Sequence, residues 1–233
     1  MSKKRSKRYN EAAKLVDSTK AYAVDEAVAV MKSFPAPKFD PTVTVSFRLT
    51  VDPRKSDQMV RGSVSLPHGT GKNVRVIVFA QGEAAAAALE AGAEKVGLED
   101  LIKEIQGGYL DFDSAIATPD AMAQVRKIAR VLGPRGLMPN PKTGTVTEDT
   151  AKAVREVKAG RVDFKVDKNA NISAAVGKLS FDNEKLVENA RAFISAVVKA
   201  RPSGAKGAYI SGATMSSSMN PGLTLSQVEF SKL

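Results

Sequence analysis

A chain of 233 residues, 43% of them hydrophobic, has the material for one large domain or two small ones. It carries a formal net charge of +10 and no cysteine, which excludes disulfide scaffolds and thiolate chemistry. No apolar run approaches the ~18 residues of a membrane span, and Ser2–Arg8 lacks the apolar core of a signal peptide, so a cytoplasmic protein without a membrane partner is expected.

The charge is unevenly placed. Residues 68–160 hold 12 Lys/Arg and 12 Asp/Glu, whereas the two flanks hold 23 and 13. A single-sign excess at both ends is an electrostatic footprint for phosphate backbones. Lys3, Lys4, Arg5, Lys7 and Arg8 supply half of it and fit a solvated tail equally well.

In chain order, Tyr9–Lys32 reads as helix with a break near Ser18–Lys20. Pro35, Pro37 and Pro41 end it. Thr42–Val51 then alternates, Val43, Val45, Phe47, Leu49 and Val51 on one side, Thr44, Ser46, Arg48 and Thr50 on the other, which predicts a strand with one buried face. Gly62–Leu66 suits a second strand, and Pro67–Gly71 a flexible joint in which His68, the single histidine, reads as a linker residue. Val74–Phe79 is nearly continuous in apolar residues, as for a strand buried on both faces. Helices over 82–91, 98–107, 119–132 and 147–159 alternate with strands over 93–97 and 114–118, predicting a small parallel sheet with helices on both faces. Past Gly160, Val162–Val166 and Ile172–Val176 alternate around Asn169-Ala170-Asn171 and read as a hairpin. Phe181–Arg201 is an amphipathic helix with Leu186, Val187, Ala190, Phe193, Ile194 and Val197 inward, and Gly207–Leu225 holds two strands. The expected fold class is therefore α+β combined with α/β. A discontinuous α+β domain is built from both termini, 1–67 and 161–233, and an inserted Rossmann-like three-layer α/β domain spans 68–160.

No catalytic residue, metal ligand set or cofactor motif emerges. A phosphate-wrapping loop needs G-x-x-x-x-G-K-[ST], but Gly71-Lys72 is followed by Asn73 and position 66 is Leu. No G-x-G-x-x-G follows the first apolar strand, and His68 has no cysteine or clustered partner. A nucleotide-using enzyme is the rival these absences argue against, and a free RNA chaperone or regulator is the second rival.

Gly133–Thr145 has three prolines, three glycines and two cations between helical segments, so a set shape with little hydrogen-bonded backbone is expected. It suits either a plain connection or a rigid loop presenting Arg135 and Lys142 to a polyanion. Val131-Leu132-Gly133-Pro134-Arg135-Gly136-Leu137-Met138-Pro139-Asn140-Pro141-Lys142 resembles the signature of the bacterial-type large ribosomal subunit protein one family, found in the mobile stalk beside the tRNA exit site. The resemblance continues through Asp52–Gln58, Leu66–Lys72, Lys206-Gly207 and Thr214-Met215, and covers the chain from about residue 8 onward.

The resemblance implies a non-enzymatic rRNA-binding component of the large subunit, monomeric outside the ribosome. Its partners would be stalk-region rRNA, exit-site tRNA whose release it assists, and its own operon mRNA, which it represses. Matched positions imply rRNA contacts at Lys38, Phe39, Thr42, Arg48, Asp167, Lys168, Thr214 and Met215, with Met215 packing on sugar faces and Asp167 accepting from 2′-hydroxyls. By residue type alone, Phe39 equally suits a core, and Asp167 a pair with Lys165 or Lys168. Arg135 and Lys142 would be secondary RNA or tRNA contacts, and Pro67, Gly69, Gly71 and Gly160 a hinge. The sequence departs from the family pattern at Thr44, Val166 and Ser216; the last stands where glycine is usual and adds a Cβ to the RNA-facing backbone.

Overall fold

The computed structural model describes residues 5–205 and 207–231. Lys3, Lys4 and Lys206 lie outside them, as does the side chain of Lys142. The chain divides into two compact units, one running through Gly71 and resuming at Val162, the other Lys72–Arg161.

In the terminal unit, β1 (Thr42–Leu49) lies between β7 (Asn171–Lys178) and β8 (Ile210–Ser217), and β9 (Gly222–Thr224) extends the sheet in the order β7-β1-β8-β9. The β1 pairings with both neighbours and the β8–β9 pairing are antiparallel. β1 is buried at every second residue, because Val43, Val45, Phe47 and Leu49 point into the core. There they meet helices α2 (Val24–Lys32) and α8 (Asn183–Lys199), with the Phe47 ring 5.7 Å from that of Phe193. The α8 stripe is buried as its spacing predicts, but Asn189 is fully buried with it. The N-terminal helix α1 (Lys7–Lys14) is separated from α2 by a break at which Tyr22 exchanges backbone hydrogen bonds with Thr224 and Ser226.

The predicted hairpin is not formed. β6 (Arg161–Lys165) pairs with β2 (Arg61–Ser65) in a separate two-stranded sheet, while β7 joins β1. The turn between β6 and β7 exists, closed by Asp167 N–H to the Asn171 carbonyl, but Ala170 takes a left-handed φ of 62° and the strands part company.

In the central unit, β3 (Val76–Phe79) pairs in parallel with β4 (Lys95–Gly97) and β5 (Ser114–Ala117). All four β3 residues are buried. Ile77 and Phe79 pack toward α4 (Glu99–Gln106) and the segment 121–132, while Val76 and Val78 pack toward α3 (Glu83–Glu90) and α7 (Thr150–Ala159). Alternate residues of a two-sided strand thus feed two separate apolar clusters. The predicted helix over 119–132 is interrupted: α5 (Met122–Val125) and α6 (Ala129–Leu132) are joined by a tighter 3-10 turn at Arg126–Ile128.

The 133–145 loop also departs from expectation, since its backbone is stapled rather than sparsely bonded. The Asn140 carbonyl accepts from the Thr143 and Thr145 hydroxyls at 3.1 and 3.2 Å, and the Thr145 hydroxyl accepts from Asn140 N–H at 2.8 Å. Both threonines are buried, and Arg161 donates to the Thr143 carbonyl while pairing with Glu156 at 2.7 Å.

Candidate RNA-binding surface

The face of the four-stranded sheet opposite the core is built by register. Ser46 lies between Ser173 on β7 and Thr214 on β8, and Thr214 lies beside Thr224 on β9. One row across the sheet therefore carries four hydroxyls, with Ser173 Oγ donating to Ser46 Oγ at 2.9 Å. The next row toward the end of β1 places Asn171, Arg48 and Gly212 side by side, and the row on the other side Ala175, Thr44 and Ser216. At the start of β1, Lys178 Nζ donates to Thr42 Oγ1 at 2.9 Å. From Thr42 to Arg48 the platform is about 20 Å long, enough for several nucleotides.

The open groove at the Arg48 end is lined by Ser46, Arg48, Asp167, Asn171, Ser173, Thr214 and Thr224 among others. Arg48, Lys38 and Lys168 are exposed and make no ion pair among the described residues, so their charge is available to an anion. Phe39, on the connection leading into β1, is 49% exposed. That settles its reading as a core residue in the negative.

Asp167 is a turn builder rather than a partner of Lys165 or Lys168. Its Oδ1 accepts from the backbone N–H groups of Asn169 (2.8 Å) and Asn171 (2.7 Å), and Oδ2 accepts only a long bond, 3.4 Å, from the Asn171 side chain. The Asn171 N–H bond leads in holding the carboxyl below its ordinary value, so it stays ionised at the rim of the groove.

Met215 is corrected. It is fully buried in the core beneath the sheet, because it alternates with Thr214 and Ser216, and it offers nothing to a sugar face. Ser216 does stand on the open face, and its β9 partner is Gly222, where a Cβ would come within 2.8 Å of Thr214 Cγ2. The glycine that spares the Thr214 side chain is thus Gly222.

Sequence reasoning missed Ser173, Lys178 and Thr224. The first two had a signal in the alternation of β7, but only the register with β1 shows that they join the Thr42–Arg48 row. Pro67–Gly71 is also better fastened than a flexible joint: buried Asn189 accepts from His68 N–H at 3.1 Å and donates to the Gly69 and Val176 carbonyls at 2.9 and 2.8 Å. Gly69 and Gly71 are left-handed there, and His68 Nε2 lies 2.6 Å from Glu188. In the central unit, Gly160 caps α7 with a left-handed φ of 110°, and Arg135 is exposed on its loop. Among the described residues no group of acidic or histidine side chains is arranged to hold a metal, and no helix is long and apolar enough to cross a membrane.

Residues 31–221 match the Ribosomal protein L1p/L10e family. The chain is 60% identical to the large ribosomal subunit protein uL1 of Saccharopolyspora erythraea over 94% of its own length and 92% of that relative. It is 60% identical to that of Nocardia farcinica (94% and 93% covered) and 56% to that of Bifidobacterium longum (94% and 96%).

Proposed function

This chain belongs to the Ribosomal protein L1p/L10e family, and from that premise we propose that its terminal unit grips rRNA through the open face of the β7-β1-β8-β9 sheet. As a family member it is a structural, cytoplasmic component of the large ribosomal subunit and not an enzyme. The observation that carries the finer reading is the hydroxyl row Ser173–Ser46–Thr214–Thr224 with Arg48, which has no ion pair among the described residues, in the row beside it. Hydroxyls that donate and accept suit ribose 2′-OH groups, and a free guanidinium suits the phosphate between them. Lys38, Phe39, Thr42 and Lys178 serve the other end of the platform, and Asp167 holds the turn that presents Lys168.

In this reading the protein is a discontinuous RNA-binding domain carrying an inserted Rossmann-like domain. The terminal unit bears 22 Lys/Arg against 13 Asp/Glu, the central unit 13 against 12, so the electrostatic attraction resides almost wholly in the former. The rRNA is that of the mobile stalk. The central unit, with Arg135 on its stapled loop, meets exit-site tRNA and helps it leave. The same sheet face binds the protein's own operon mRNA and represses it. Motion of the central unit pivots beyond Gly71 and at Gly160, since the Asn189 bonds belong to the terminal unit.

Filter binding of the full chain to a stalk-region rRNA fragment across salt concentrations tests this. Arg48→Ala is expected to weaken binding and to reduce the magnitude of the salt slope by about 0.7–0.9, the share of one phosphate contact. Equal slopes for both proteins remove Arg48 from the phosphate contacts.

A further inference from the structure

The near balance of charge in the central unit conceals two unlike parts. Of its 13 Lys/Arg, five fall within 121–147 (Arg126, Lys127, Arg130, Arg135 and Lys142), and that stretch contains no Asp or Glu. The rest of the unit holds 8 cations against 12 carboxylates. Arg126, Lys127, Arg130 and Arg135 are exposed, and none of them forms an ion pair among the described residues. The cations that do pair, Lys72, Arg75, Lys95 and Arg161, all lie outside the stretch.

The fold gathers the free cations on one element. The 121–132 segment buries Ala121, Val125, Ile128 and Leu132, a stripe that leaves Arg126 and Arg130, one helical turn apart, toward solvent with Lys127 beside them. Leu137 N–H returns to the Leu132 carbonyl at 3.1 Å, so Arg135 stands just past the end of the same segment. The acidic α4 packs against Arg126–Ile128, but its Glu104 is engaged by Lys95 at 2.5 Å. Like charges one turn apart repel, so the arrangement works against the helix and is relieved by a bound polyanion.

The patch also says which polyanion. Among the described residues no large apolar side chain is exposed within 121–147, so the apolar centre of a protein–protein interface is missing. The exposed positions of the segment, 123, 126, 127 and 130, are Ala, Arg, Lys and Arg, with no ring to stack on a base and no amide to read one. Cations alone hold phosphates. We propose that Arg126, Lys127 and Arg130 hold the phosphate backbone of a second RNA, gripped by charge and not by sequence, while the terminal unit holds the rRNA. The inference rests on the reading that the central unit meets tRNA, and it names the side chains that grip it.

The test uses the full chain saturated with the stalk-region rRNA fragment, onto which deacylated tRNA is titrated across salt concentrations. The triple variant Arg126→Gln, Lys127→Gln, Arg130→Gln replaces exposed cations by a comparable helix former, so its thermal midpoint is expected to equal or exceed that of the parent. Its affinity for tRNA is expected to fall at least about tenfold and the magnitude of the salt slope by about 2–3, with rRNA binding unchanged. If the triple variant binds tRNA as the parent does, the inference is overturned; a loss seen only in Arg135→Gln then leaves the tRNA reading to the loop. Weakened rRNA binding by the triple variant also overturns it and assigns the patch to the rRNA. If polyglutamate of matching charge displaces tRNA as well as duplex RNA does, the surface takes acidic chains and the commitment to RNA falls. If the parent complex binds no tRNA while still holding the rRNA fragment, the reading beneath the inference fails with it.

Discussion

β1 and β3 are both central strands, yet β1 buries one face and β3 buries two. The parallel sheet around β3 has apolar clusters on each side, so a macromolecule can approach it only by its loops and edges. The antiparallel sheet around β1 has its core on one side and hydroxyls and a guanidinium on the other. A large polyanion needs a broad, wettable surface with fixed donors, and only the one-sided sheet provides it. Core truncations should separate the two. Phe47→Ala, in a ring cluster with Phe193 and Phe230, is expected to cost about 3–5 kcal/mol and to abolish rRNA binding with the platform it supports. Phe79→Ala, equally buried in the central unit, is expected to cost a similar amount while rRNA binding persists. Urea titrations followed by binding at fixed denaturant check both, and loss of binding in Phe79→Ala breaks the division of labour.

Next in size is the Asn189 clamp. Asn189→Ala strands the Val176 carbonyl in a buried setting and the His68 N–H and Gly69 carbonyl in a partly buried one, at an expected cost of about 3 kcal/mol. Amide exchange should quicken at His68 with the central unit's amides unchanged. Uniform quickening in both units would mean that the two are not separate folding units.

The same contrast explains what was legible in the sequence. Period-two alternation in 42–51 and a continuous apolar run in 74–79 reveal how many faces of each strand are buried, because that is a local property of side-chain order. Which strands pair is not local. The β6–β7 hairpin failed because Asn169-Ala170-Asn171 announces a turn but not what the strands do afterwards. Met215 failed for a related reason: a motif match names neighbours in sequence, whereas alternation sends Thr214 and Met215 to opposite faces. Likewise Asn189 reads as one polar residue on a helix until the Pro67–Gly71 segment is laid against it. The outward, exposed position of Arg48 was legible because its face and its charge are both written in one short segment.

A smaller effect sharpens the view of the open face. Ser46→Glu places a carboxylate in the centre of the hydroxyl row, on an antiparallel strand whose other face alone is packed. Folding stability should change by about 0.5 kcal/mol or less, as for an exposed substitution. Affinity for rRNA should fall about tenfold through repulsion and the lost hydroxyl. An unchanged affinity in anisotropy titrations would move the RNA off this row.

The smallest expected effect concerns the turn that presents Lys168. The pKa of the folded Asp167 carboxyl lies below the ordinary aspartate value of 3.8, chiefly because it accepts from Asn171 N–H. A depressed acid stabilises the fold while ionised: the contribution is complete above 3.8 and is lost as pH falls through the lower folded value. Asp167→Asn keeps an oxygen for the Asn169 and Asn171 N–H groups but has no charge to lose. The parent should therefore be the more stable protein near neutrality, with the gap between their urea midpoints closing as pH drops from 5 toward 2. Ionised Asp167 at the groove rim also bears on binding, because its charge opposes phosphate while Oδ2 is an acceptor on offer to a ribose hydroxyl. If Asp167 contacts only the turn, Asp167→Asn should bind rRNA as well as the parent or slightly better at pH 7; a clear loss would assign its Oδ2 to a ribose.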